Sequence, residues 1–233
     1  MDMGGVPARV GRRVGDGRSV EQLVFARRPV DVASGVATGL ALHSLPMDRS
    51  KLPLDRPISF EDAARLDPDE QPADLVAGRL VPVTKNTLRH GRILIKVGTV
   101  LEEFASRNPG WYVVGGDAGC KLAHDPDTLR GPDVAILRED RVPAGRGAEG
   151  WLEGGPEVAV EIVGDGQSVA QLVKKALEYL RAGSKAVWVL DPDERSVVVI
   201  TSGASLRLIE HDGTLDGGDA LPGFSCTVSR FFP

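Results

Sequence analysis

The sequence predicts an α/β domain, a mixed β-sheet flanked by helices, and three observations carry that expectation. Short apolar stretches of strand length occur at Pro132 to Leu137, Glu157 to Val163 and Ala186 to Leu190. Two longer segments, Asn86 to Arg107 and Ser168 to Ala182, repeat apolar residues at the spacing of a helix with one buried face. Along the chain the order runs helix, strands, helix, strands, which fits a layered α/β domain and neither a bundle nor a repeat.

Residues 1–50 lack sustained periodicity and are expected to form a flexible N-terminal extension. Within them Ser19 to Arg27 could make one short helix, and Val30 to Leu42 is apolar but interrupted by glycine. The proline-marked stretch Lys51 to Pro57 reads as a linker, so the folded domain is taken as 51–233. Ser59, followed three residues on by Asp62, is suited to cap a short helix. Asp74 to Val83 reads as two short strands turned at Gly78. In the first long helix His90, Ile93, Val97, Val100, Leu101 and Phe104 share one face. Glu102 and Glu103 mark the other face, and Asn108-Pro109-Gly110 stops the helix. His90 sits at the helix start on the inward face, where a core histidine with a satisfied hydrogen bond is the plain reading. Trp111 to Val114 is the next strand, and Gly115 to Leu122 turns into another. Glu139 to Gly155 is a glycine- and charge-rich loop. Beyond Pro192, Ser196 to Thr201 and Ser205 to Ile209 form a hairpin across Ser202-Gly203-Ala204, and an apolar tail runs from Leu221 to Phe232.

At 233 residues, 42% hydrophobic and 26% charged, the chain suits one core-bearing domain. No apolar run approaches the roughly 20 residues that span a membrane, and the N-terminus lacks the apolar stretch of a secretory signal. Cys120 and Cys226 are too few and too far apart for a zinc site or a disulfide framework, and fit a reducing cytoplasm. The net charge is −5, and residues 51–233 hold 21 Lys/Arg against 28 Asp/Glu. Any contact with nucleic acid must therefore be local, with a metal helping to carry it.

Two features break the apolar character of the strands, and both are carboxylates. Asp133 opens the first strand and Glu161 sits near the end of the second, facing the side opposite Val160 and Ile162. Burying an isolated charge is expensive unless something compensates it. Two acids on adjacent strands cannot both stay ionised cheaply, so a shared proton or a cation must resolve the conflict. Hard oxygen ligands suit Mg²⁺ or Mn²⁺, and the main-chain carbonyl of Ile162 could add a third donor.

The second helix sharpens this weak signal. Val169, Leu172, Val173, Ala176 and Leu180 make its expected buried stripe. Lys174 points nearly opposite. Lys175 lies roughly 110° from the stripe's centre, in a flanking row with Gln171 and Tyr179. A long lysine on a flank can run its stem along apolar surface and deliver its ammonium to the sheet edge, there to orient the attacking water or neutralise phosphate charge. A solvated surface lysine is the plain alternative.

Five motifs together resemble one known family. Gly131-Pro132-Asp133-Val134, Val160-Glu161-Ile162, Lys175-x-x-x-Tyr179-x-x-Ala182-Gly183, Val187-Trp188-x-x-Asp191-Pro192 and Leu221-Pro222-Gly223 look like the Uma-two family of bacterial restriction endonucleases, within the PD-(D/E)XK nuclease superfamily. The likeness runs from about Ile58 to Phe232, and Leu88-Arg89-His90 sits where that family tends to carry a histidine. The resemblance implies a restriction-endonuclease-like core, DNA as substrate, Asp133 and Glu161 as metal ligands, and His90 within the site. It also implies that Lys175 is the catalytic lysine, moved to the helix because Val163 occupies its usual place. Three positions depart from the family pattern: Gly164-Asp165-Gly166 replaces a common Ser-Pro-Ser, Arg79 an acid, and Gln171 another acid.

Gly164-x-Gly166 between a strand and a helix also has the context of a dinucleotide fingerprint, but Val169 stands in the place of the third glycine. Two functional readings follow: a metal-dependent DNA endonuclease or nickase, and a nuclease-fold module that binds DNA or protein without catalysis. A homodimer is expected by analogy, because cutting both strands generally needs two sites.

Overall fold

A computed structural model describes residues 47–66, 73–83, 85–145, 147–164, 166–167, 169–203 and 205–233, all within the unit Ser44–Pro233. The readings made for Ser19 to Arg27 and for Val30 to Leu42 lie outside the described residues, as do Asp165, Ser168 and Ala204. Met47 is already part of the fold: it bridges in parallel to Leu66, and its N–H donates to the Arg65 carbonyl at 2.6 Å.

Helix α1 (Phe60–Ala64) begins with the expected cap, Ser59 and Asp62 each accepting from the other's main-chain N–H. Strands β1 (Ala73–Val76) and β2 (Arg79–Pro82) form a hairpin whose turn residues Ala77 and Gly78 are both left-handed, at φ 47° and 71°. Gly78 also admits the end of the linker, since a Cβ there would lie 2.3 Å from that of Pro57. Helix α2 (Leu88–Ala105) is capped by Thr87 and buries the expected face from His90 to Phe104, with Ala105 added.

Strands β3 (Trp111–Gly115), β4 (Cys120–Ala123), β5 (Thr128–Arg130), β6 (Val134–Arg138), β7 (Leu152–Glu153) and β8 (Val158–Ile162) follow, then helix α3 (Val169–Arg181). After α3 come β9 (Ala186–Asp191), β10 (Ser196–Thr201), β11 (Leu206–Ile209), β12 (Thr214–Asp216) and β13 (Ser225–Thr227). The main mixed sheet has the order β11-β10-β9-β8-β6-β3 and is parallel at β8–β9, the pair connected through α3. A second sheet, β2-β1-β5-β4-β7, accompanies it, together with the small β12-β13 pair. The sequence reading foresaw one sheet; it missed the small β12-β13 pair and, within the second sheet, β5 and β7. These are three and two residues long, too short to show a period, and β7 exists because Cys120 and Lys121 pair with it. The loop expected at Glu139 to Gly155 is thus partly drawn into the fold. Buried Glu157 also anchors it, accepting from Arg138 N at 3.0 Å and Arg141 Nη1 at 3.1 Å.

Strand β8 is buried on both faces, as central strands with helices on each side are. Val158, Val160 and Ile162 join the core under α2, with Trp188, Phe224 and Phe231. Ala159 joins the core under α3. The buried row of α3 is Leu172, Ala176 and Tyr179, whereas Val173 and Leu180 are half-buried. The helix is therefore rotated from the expected stripe, toward Lys175.

Candidate active site

A cleft of about 350 Å³ opens at the end of β8, walled by α2, α3 and the segment leading into β6. Strands β6 and β8 pair antiparallel with Val134 opposite Val160, which brings Asp133 and Glu161 to one end of the sheet. Both acids are buried, 7% and 3% exposed. Asp133 Oδ2 accepts from Ile162 N at 2.7 Å, and Oδ1 lies 3.2 Å from His90 Nε2. Glu161 Oε2 accepts from Lys175 Nζ at 2.8 Å, and the same ammonium donates to the Gly131 carbonyl at 3.1 Å. All five positions singled out from the sequence, His90, Asp133, Glu161, Ile162 and Lys175, line this one cleft. Lys174 is exposed on the far side of α3.

Burial is the main cause that pushes Glu161 up to about 7; Lys175 opposes that shift and the Asp133 charge adds to it. Burial works against a charged His90, but the hydrogen bond and charge of Asp133 more than offset it, so its affinity for a proton is raised. Burial likewise opposes the Lys175 ammonium, and Glu161 outweighs it. The centre thus sets two carboxylates against the Lys175 ammonium and a histidine of raised proton affinity.

The residues present fit a divalent cation. Glu161 Oε1 is sealed from solvent without a hydrogen-bond partner, and carboxylate oxygens holding one hydrogen bond keep a second lone pair. Among the described residues no three acidic, histidine or cysteine side chains already converge on one point, so the side-chain donors such a cation would meet are the two carboxylates.

Sequence reasoning missed Asp117, a third carboxylate lining the cleft. Burial, then the charge of Asp133, raises its proton affinity, although the residue as a whole is exposed. Its backbone is left-handed at φ 60°, and a Cβ on Gly131 would lie 2.4 Å from its carbonyl oxygen, so the two segments meet only because residue 131 is glycine. A usable signal was present: Gly116-Asp117 directly follows the strand that pairs with β6. At the mouth Lys85 is exposed, and Arg89 nearby is engaged with Asp193 and Pro192. The Gly164 amide, a candidate phosphate donor, is used within its own loop by Gln167 Oε1 at 3.0 Å.

A mixed α/β sheet with buried acids at the end of its central strands places the molecule in the nuclease-type fold class. The profile of the Uma2 family, described as "Putative restriction endonuclease", matches residues 60–229, and the chain belongs to that family. A crystal structure from Anabaena variabilis ATCC 29413, described as a "putative nuclease belonging to DUF820", shares the fold with a TM-score of 0.64 and 19% identity. The match covers 76% of this chain and 98% of that one. No curated protein matches the chain. Among the described residues no helix is long and apolar enough to cross a membrane.

Proposed function

We propose that the chain is a divalent-metal-dependent endonuclease that hydrolyses DNA phosphodiester bonds. One observation carries the reading: two buried carboxylates at one end of the β6–β8 pair, one just before β6 and one on β8, the latter bridged by a lysine that enters the same cleft. Asp133 and Glu161 would hold Mg²⁺ or Mn²⁺, with the Ile162 carbonyl as a third donor. Such an ion supplies positive charge to the phosphate and makes a water acidic enough to attack.

The protein's own groups have distinct tasks. His90 sets the Asp133 carboxylate from one side while the Ile162 amide sets it from the other. Lys175 is steadied by the Gly131 carbonyl, so its ammonium stays in the cleft, where it orients the attacking water and meets the charge that develops on the phosphate. Lys85 offers a cation at the mouth for a neighbouring backbone phosphate. Cleavage of both strands calls for two such clefts, hence a homodimer, and the free, buried Cys120 and Cys226 suit a cytoplasmic setting. The non-catalytic reading draws on the partners that Asp133 and Glu161 Oε2 already have within the protein.

The test is nicking of supercoiled plasmid by the full chain with Mg²⁺, with Mn²⁺ and with chelator. Metal-dependent nicking that Lys175→Ala abolishes and Lys174→Ala leaves intact supports the proposal. Equal activity in both variants, or nicking indifferent to chelator, refutes it.

A further inference from the structure

Tyr179 is wholly buried on α3, yet its hydroxyl has no hydrogen-bond partner. Glu161 Oε1, sealed beneath the same helix, has none either. Buried polar atoms left without partners destabilise a fold, and native structures rarely tolerate a donor and an acceptor orphaned side by side. Lys175 and Tyr179 are four residues apart and so stack on one face of α3. The first already reaches Glu161 Oε2 at 2.8 Å, and the second follows it one turn on along the same face. Burial, then the charge of Glu161, raises the proton affinity of the Tyr179 hydroxyl, so the two are close neighbours. Other donors nearby are spent: Lys175 also serves the Gly131 carbonyl, and the Cys120 thiol faces the Ala118 carbonyl at 3.6 Å. As core filler alone, the ring would need no hydroxyl.

We infer that Tyr179 is a positioning residue for Glu161: its hydroxyl donates to Oε1 and holds the carboxylate with its remaining lone pair turned to the cleft. Oε1 can accept twice, so the tyrosine and a cation do not compete for it. Lys175 and Tyr179 then grip the two oxygens of Glu161 from consecutive turns of one helix, and the docking of α3 sets the aim of the acid. The consequence for a bound cation rests on the proposed function; the hydrogen bond itself does not.

Mn²⁺ is titrated calorimetrically into the full-length protein, wild type, Tyr179→Phe and Leu172→Ala. The last removes a buried apolar side chain from the same helix. Tyr179→Phe should bind Mn²⁺ roughly 10- to 100-fold more weakly, the usual loss when a group orienting a metal ligand is removed. Leu172→Ala should lower the melting temperature while its Mn²⁺ affinity stays within about twofold of wild type. Unchanged affinity in Tyr179→Phe, or an equal loss in Leu172→Ala, overturns the inference. If wild type binds no Mn²⁺, the metal reading fails, and a crystal structure of the wild-type protein decides this one by itself, as it does if Tyr179→Phe does not fold. A hydroxyl to Oε1 separation near 2.7 Å upholds the inference and one beyond about 3.5 Å overturns it.

Discussion

On the α2 side of β8, Val158, Val160 and Ile162 meet Ile93, Val97 and Leu101, and the layer continues through Trp188 to Phe224 and Phe231 of the C-terminal segment. On the α3 side of the same strand Ala159 is followed by Glu161, with Lys175 bonded to its carboxylate and Tyr179 buried in the same layer. The first face is held by apolar area and shape, so its loss terms are cavities. The second sets the Lys175–Glu161 ion pair within an apolar cluster, so a substitution at that pair harms chiefly through the partner it leaves behind. Stability should therefore reside mainly on one face and chemistry on the other.

The largest test is Trp188→Ala, which opens a cavity on the α2 side. It should destabilise by about 3–5 kcal/mol in chemical denaturation, while any Mn²⁺ response of the folded fraction persists. A loss below about 1 kcal/mol would mean that the aromatic layer is not what holds the sheet.

Next is the metal itself. At about 100 times its dissociation constant, Mg²⁺ or Mn²⁺ should add about 2.7 kcal/mol, a rise of roughly 5–10 °C in melting temperature. Asp133→Asn should remove most of that rise. Identical melting curves with and without metal would leave the α3-side cleft without its proposed ligand.

Lys175→Ala should destabilise the metal-free protein by about 1–3 kcal/mol at pH 8, where Glu161 loses its counter-ion, and by less at pH 5, where the acid carries a proton. Lys174→Ala, on the exposed side, should stay within about 0.5 kcal/mol at both. Equal losses would erase the distinction between the neighbouring lysines.

A further test is a slope with pH. Glu161 releases its proton at about 7 in the fold, against an ordinary value of 4.5. The folded state binds more protons between those values, so stability from this group is greatest below about pH 4.5 and declines as pH rises toward 7. His90, whose affinity is raised as well, adds a decline of the same sign. Glu161→Gln should flatten the metal-free profile across that window, read by denaturant titration at successive pH values. A profile as steep as wild type would show that Glu161 is not buried as described.

The sequence by itself determined the two long helices and the longer strands, because burial on one or both faces writes a period into the residues. It exposed Asp133 and Glu161 because an acid inside an apolar strand is out of place, and it put Lys175 rather than Lys174 near the site because helical phase is a local property. It could not place Tyr179, whose row is buried only because α3 docks with a rotation that no residue of the helix sets alone. Nor could it order β5 and β7, whose pairing partners rather than their own few residues make them strands. Asp117 came to the cleft through a contact between segments distant in sequence, permitted by the missing side chain of Gly131. Periodicity is a property of neighbours along the chain; register, docking angle and close approach are properties of partners across space, and only the tertiary structure decided them.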